Sequence, residues 1–148
     1  MSAMYAQAVD PTDGANTPRA APVPPTEWFL ATAATDHIAN NIRDLCNVMP
    51  APASAAIFQV DGARVPARAK GTAYIDTGRG GGDRVSAGLT LVDVLYVPSF
   101  RSSLISVGRL CRAGFSVEFN GGVVVRDGAG ATVMTGTWVE GGYRVDRN

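Results

Sequence analysis

Turn-forming dipeptides punctuate this chain at short intervals, and they restrict its fold more than any other feature. Asp61-Gly62, Asn120-Gly121 and Asp127-Gly128 each stand between short apolar runs, and such pairs suit the left-handed backbone of tight hairpin turns. Gly and Pro contribute 17 and 9 of the 148 residues, well above their ordinary combined share of roughly 12%. A chain interrupted this often makes short strands rather than long helices. Its 46% apolar residues suffice for a core, and its length suits one domain better than two.

Thirteen basic and thirteen acidic residues cancel, so no net field points to nucleic acid or to an anionic membrane as partner. No apolar run approaches the roughly 18 residues that span a bilayer, and no signal-peptide core is present. Cys46 and Cys111 lie far apart, and His37 is the single histidine. Without a CxxC, a His pair or a Cys/His cluster, no structural zinc site can form within one chain. No metal or other cofactor is implied. Both thiols read as reduced and half-buried.

Residues 1–25 hold five of the prolines, six alanines and one aromatic, Tyr5. They show no period of 2 or 3.6 and read as a disordered leader, with one domain over 26–148. Trp28-Phe29-Leu30 reads as a buried strand entering a loop at 31–34. Thr35 or Asp36 can cap a helix carrying Ile38, Ile42 and Leu45 at i, i+4 and i+7, closed by Pro50 and Pro52. Segments 57–60 and 63–65 flank the Asp61-Gly62 turn. A strand over 71–76 runs into the glycine-rich stretch 78–82, and 89–97 reads as a long buried strand stopped by Pro98. Ser102 or Ser103 can start a short helix bearing Val107, Leu110 and Cys111, with Gly114 just past its end. Strands follow at 115–119, 123–125, 131–134 and 137–145, the last interrupted by Gly141-Gly142. The expected total is about nine strands and two short helices.

Most familiar chemistries are excluded. There is no Gly-x-Ser-x-Gly elbow and no P-loop, and one histidine without a partner reads as a side chain bonded locally to backbone. Asp93 reads as a buried strand residue bonded to backbone amides, Arg101 and Arg109 as solvent-facing or paired across a dimer, and both tryptophans as core. What survives is aspartic-protease chemistry, in which two carboxylates about 3 Å apart share a proton and activate a water. A short chain with one such loop must dimerise to assemble the pair. Two loops are candidates: Asp76-Thr77-Gly78, and the loop that follows Trp28-Phe29-Leu30.

The stretch Trp28-Phe29-Leu30-Ala31-Thr32-Ala33-Ala34-Thr35-Asp36-His37 resembles the Trp-x-Leu-Asp-Thr/Ser-Gly/Ala-Ala-Thr/Ser-x-His signature of copia-type LTR-retrotransposon Gag-Pol proteases, which are retropepsin-like. A second stretch in the family's order follows: Leu91-Val92-Asp93-Val94-Leu95-Tyr96-Val97-Pro98, then Leu104-Ile105-Ser106-Val107-Gly108-Arg109-Leu110. The resemblance covers roughly residues 26–145. It implies an all-β, closed retropepsin-like barrel with one or two short helices, working as a homodimer. Ala31 occupies the position of the catalytic Asp, while Thr32 and Ala33 match the residues that follow it. The flap is implied to be the hairpin over 57–70, with Val60, Asp61, Gly62 and Ala63 at its tip. Leu104, Ile105 and Ser106 resemble the apolar-apolar-small motif that supports the active site, with Ser in place of Gly. Asp76 suits the catalytic place less well, because residues 89–97 already fill much of the chain between it and Leu104, leaving little room for a flap and returning strands.

The function so implied is an aspartic endopeptidase that processes its own Gag-Pol polyprotein in a cytoplasmic virus-like particle. Its partners are a second copy and a polyprotein peptide, with no nucleic acid bound by this domain and no membrane. A single mismatch inside an otherwise intact motif looks like inactivation that stops self-cleavage. The alternative is a natural pseudoprotease, a dimerising or peptide-binding barrel without catalysis.

Overall fold

The computed structural model describes residues 26–58, 61–77 and 88–147. The leader at 1–25, Val60 at the expected flap tip and the glycine-rich run at 78–82 lie outside the described residues. Strands β1 (Trp28–Ala31), β2 (Ile38–Ala39), β3 (Leu45–Pro50), β4 (Ala56–Phe58), β5 (Arg64–Pro66), β6 (Ala69–Asp76), β7 (Gly88–Tyr96) and β8 (Ser103–Ser106) lead into the helix α1 (Val107–Arg112). Strands β9 (Ser116–Phe119), β10 (Gly122–Arg126), β11 (Thr132–Val139) and β12 (Gly142–Val145) follow it. The all-β expectation holds.

Ten strands form one sheet in the order β3-β6-β7-β2-β8-β1-β12-β11-β10-β9, and β4 and β5 make a separate hairpin. The expected closed barrel is corrected: among the described residues β3 and β9 are free edges of an open sheet. Closure would require an unbroken ladder along β3. That strand carries a register shift between Cys46 and Met49, and Asn47 sits there at φ 53. A bulge of this kind re-aims the edge donors and acceptors and discourages further pairing.

Period-2 alternation explains the long strands. On β6 and β7, Ala73, Ile75, Leu89 and Leu91 are buried while Tyr74, Thr90 and Val92 face out, as a half-covered strand requires. These side chains join Trp28, Leu30, Ile105, Val125 and Met134 in one core. A smaller cluster of Ile38, Leu95 and Val97 packs against Ile57, Val65, Phe100 and Leu104 below the β4–β5 hairpin. Between Gly71 and Ala73 the β6–β7 register also shifts, with Asp93 at φ 54. Strand β6 is thus flanked by a bulge on each side at nearly the same level. Gly71 is needed there, since a Cβ would lie 2.9 Å from the Cys46 carbonyl oxygen. Asp93 is correspondingly exposed, with Lys70 Nζ 3.5 Å away, not a buried acceptor for amides.

Other expectations change as well. The helix expected over Ile38, Ile42 and Leu45 is absent. Ile38 enters β2, Ile42–Asp44 form one 3-10 turn capped by the Asn41 side chain, and Leu45 opens β3. The Asn40 amide donates to Ser103 Oγ at 2.9 Å, and its side-chain nitrogen donates to the Phe100 carbonyl, which draws this segment into the sheet. Ser103 lies within β8, and the helix begins later, with Ser106 as N-cap. Gly114 follows the helix at φ +100, as expected.

The segment expected at 131–134 and the first part of the one expected at 137–145 are one continuous strand, β11, and the part beyond Gly141 is β12. The turn from β10 into β11 is set by Asp127, whose Oδ1 accepts from the Ala129 and Ala131 amides, with Gly130 rather than Gly128 at positive φ. Trp138 shares the inward side of β11 with Met134 and Gly136, yet lies near the strand end where cover runs out. It is 56% exposed and packs edge-on against Tyr143 at 5.0 Å. Both cysteines are exposed and free, not half-buried.

Candidate functional site

Strand β8 runs between β1 and β2, parallel to the first and antiparallel to the second. The connection 32–37 therefore has to pass over the end of β8. The β1–β8 register sets Leu30 beside Ile105 and Ala31 beside Ser106. Ile105 is wholly buried and supports the base of the loop from the core. Thr32 and Ala33 are exposed at its crest.

Ser106 fastens this loop from below. Its amide donates to His37 Nδ1 at 3.0 Å and its hydroxyl donates to the Ala34 carbonyl at 2.8 Å. The same Oγ accepts from the Arg109 amide at 3.1 Å, capping α1. His37 is 4% exposed. Because Nδ1 accepts, the imidazole is neutral with its proton on Nε2. Burial, seconded by the positive charge of Arg109 and only partly opposed by Asp36, pulls its pKa down to about 4. His37 does bond to backbone, but not locally: its partner lies 69 residues away.

Above the loop opens a cleft of about 920 Å³. Ala31, Ala33, Ala34 and Thr35 line one wall and Ala56, Ile57 and Asp61 the hairpin side, with Phe100, Arg101 and Leu104 among the other lining residues. Of the residues singled out in the sequence, Ala31, Ala33, Asp61 and Leu104 thus meet around one cavity. Thr32, Gly62 and Ala63 are exposed beside it without lining it, while Ile105 and Ser106 lie beneath. The hairpin pairs Ala56 with Pro66 and Phe58 with Arg64, and Asp61 Oδ1 accepts from the Ala63 amide to shape its turn.

Asp61 is the one carboxylate among the described lining residues, so the cleft holds no pair able to share a proton. Asp76 ends β6 opposite Gly88, away from the cleft. Sequence reasoning missed Arg101 and Phe100 as wall residues and His37 as a tie to the loop. A contact across 69 residues has no local pattern, and only the order of β1, β8 and β2 discloses it.

Comparison with known proteins places this chain in a family. Residues 28–115 match the family described as Pol polyprotein, beta-barrel domain. The Retrovirus-related Pol polyprotein from transposon RE1 of Arabidopsis thaliana is 34% identical over 106 residues, covering 71% of this chain and 7% of that protein. The corresponding polyprotein from transposon RE2 of the same plant is 36% identical over 93 residues, covering 62% of this chain and 6% of its own length. The chain thus spans well under a tenth of these relatives. No solved structure matches it at a significant level. The matched span runs from the first residue of β1 past the end of α1, so it includes the loop, the hairpin and the β8–α1 support. The chain belongs to the Pol polyprotein beta-barrel domain family, of retrotransposon Pol origin.

Proposed function

We propose that this chain is the aspartic-protease module of a copia-type Gag-Pol polyprotein, in a form inactivated at position 31. The observation that carries the reading is convergence. Three stretches far apart in sequence, residues 31–35, Ala56 and Ile57 with Asp61, and residues 99–104, contribute to one open cleft, and Ala31 stands where the loop leaves β1. In an active form each of two copies would supply one Asp at position 31. One carboxylate would take a proton from water while the other donates to the scissile carbonyl, since two like charges this close cannot both stay ionised. Thr32, exposed at the loop crest, would meet its counterpart across the two-fold axis. Val60, Asp61, Gly62 and Ala63 would form the flap, with Leu104, Ile105 and Ser106 as support. The substrate would be a Gag-Pol polyprotein peptide, and the setting a cytoplasmic virus-like particle.

Ala31→Asp tests the reading. The variant should cleave peptides with an acidic optimum and be blocked by pepstatin, while the Ala31 chain stays inert. A folded Ala31→Asp variant without activity, or cleavage by the original chain that depends on Asp76, would overturn it. One observation favours a second reading: the cleft is mainly apolar and open without any carboxylate at position 31. A binding module would take up the same peptides with equal affinity whether residue 31 is Ala or Asp, and cut them in neither case.

A further inference from the structure

We infer that His37 and Ser106 form an acid-released latch that positions the 31–36 loop in the cleft. Ser106 holds the loop at two points, through its hydroxyl to Ala34 and through its amide to His37. It is itself fixed as the first cap of α1 and as the last residue of β8. His37 is anchored from the other side, since its carbonyl accepts from the Leu95 amide on β7 at 2.9 Å. The loop therefore cannot shift without breaking a bond to a residue that neighbouring strands hold in place.

The latch requires a neutral imidazole. On protonation both ring nitrogens become donors, and Nδ1–H would face the N–H of Ser106, a residue buried away from solvent. Two charged groups face His37. Arg109 from α1 disfavours the cation, and Asp36 from the loop favours it. Arg109 is kept near by donating to the Asp93 carbonyl at 3.2 Å, on the bulge of β7. Lys70 pairs with the Asp93 carboxylate at 3.5 Å, so the charges behind Arg109 offset each other. The latch is thus closed at neutral pH and opens when His37 takes up a proton, near pH 4. His37 and Ser106 are positioning residues, and the consequence for residues 31–33 rests on the protease reading, although the latch itself is measured without any activity.

His37 is the only histidine, so its NMR signals are unambiguous. In the full Ala31 chain, imidazole nitrogen shifts and Ser106 amide exchange are followed from pH 7 to pH 3, with exchange corrected for its intrinsic pH dependence. The expected result is a neutral, Nε2-protonated ring at pH 7. Ser106 protection should fall roughly tenfold or more as His37 titrates, as loss of a buried acceptor implies, while the indole N–H of the buried Trp28 keeps its protection in the same spectra. His37→Asn keeps an acceptor oxygen but cannot titrate, so it should retain protection and lose the pH step. His37→Leu should lower protection at every pH. An Nδ1-protonated ring, Ser106 exchange blind to the His37 titration, the same step in His37→Asn, or loss of Trp28 indole protection coincident with the step would each overturn the latch. An Ala31→Asp chain that cleaves peptides while Ser106 exchange ignores pH would sink the latch alone. A working latch in an inert Ala31→Asp chain would sink the protease reading alone.

Discussion

Ser106 satisfies three polar groups at once: the Ala34 carbonyl, the Arg109 amide and the His37 ring nitrogen. Replacing it by Ala keeps the amide bond to His37 but removes the cap and the loop bond. Ser106→Ala should therefore cost about 1–3 kcal/mol, seen as a lower midpoint in urea unfolding. For His37 the direction with pH follows from its low folded value of about 4 against an ordinary 6.5. Between those values the unfolded chain binds more protons, so stability should rise with pH across this window and be lost as pH falls through about 4. The contribution is at most about 3 kcal/mol, and denaturation at pH 4.5 and 7 should show the slope for the original chain but not for His37→Asn. Asp44 runs the other way. Burial raises its carboxyl, with the Thr26 hydroxyl and Arg147 pulling back only in part, and its Oδ2 has no hydrogen-bond partner. Holding that charge at neutral pH weakens the fold, so Asp44→Asn should gain up to about 1 kcal/mol at pH 7, measured as a higher melting temperature.

At the scale of elements, the two bulges beside β6 and the close strand crossings decide which glycines matter. A Cβ on Gly136 would lie 2.6 Å from Val123 Cγ1 and 3.1 Å from the Arg144 carbonyl. Gly136→Ala should destabilise by about 1–3 kcal/mol through overpacking, whereas Gly128→Ala, whose nearest neighbour would be 3.8 Å away, should be close to neutral. Equilibrium unfolding of the pair separates the two cases. Strands β6 and β7 were legible as strands, but 89–97 read as buried throughout while Thr90, Val92 and Asp93 face out; the Asn120-Gly121 turn was legible because Gly121 supplies its positive φ. The helix expected after Asp36 was not. Ile38, Ile42 and Leu45 have helical spacing, but Asn40 is captured by Ser103 and Phe100, 63 and 60 residues away. A local pattern carries no trace of such bonds. The bulges at Asn47 and Asp93 were hidden for a related reason: a strand pattern does not state its partner's register.

For the whole molecule, the open sheet leaves the cleft exposed, with Thr32 and Ala33 solvent-exposed at the loop crest. The two matched stretches, 28–37 and 91–110, made the retrotransposon Pol origin legible, although the fold they belong to is an open sheet. If the cleft is completed by a two-fold partner, the Ala31 chain should dimerise at least as well as Ala31→Asp at neutral pH, because Ala removes the repulsion between two close carboxylates. An interface of about 800 Å² per partner is consistent with a micromolar or tighter dimer, and sedimentation equilibrium should find one for both chains. The proposal that two copies share the loop at position 31 as a catalytic pair is most directly tested by calorimetric titration of Ala31→Asp with pepstatin at acidic pH. One inhibitor bound per two chains, with none bound by the Ala31 chain, is the expected result. No binding to a folded Ala31→Asp dimer, or one inhibitor per chain regardless of residue 31, would contradict it.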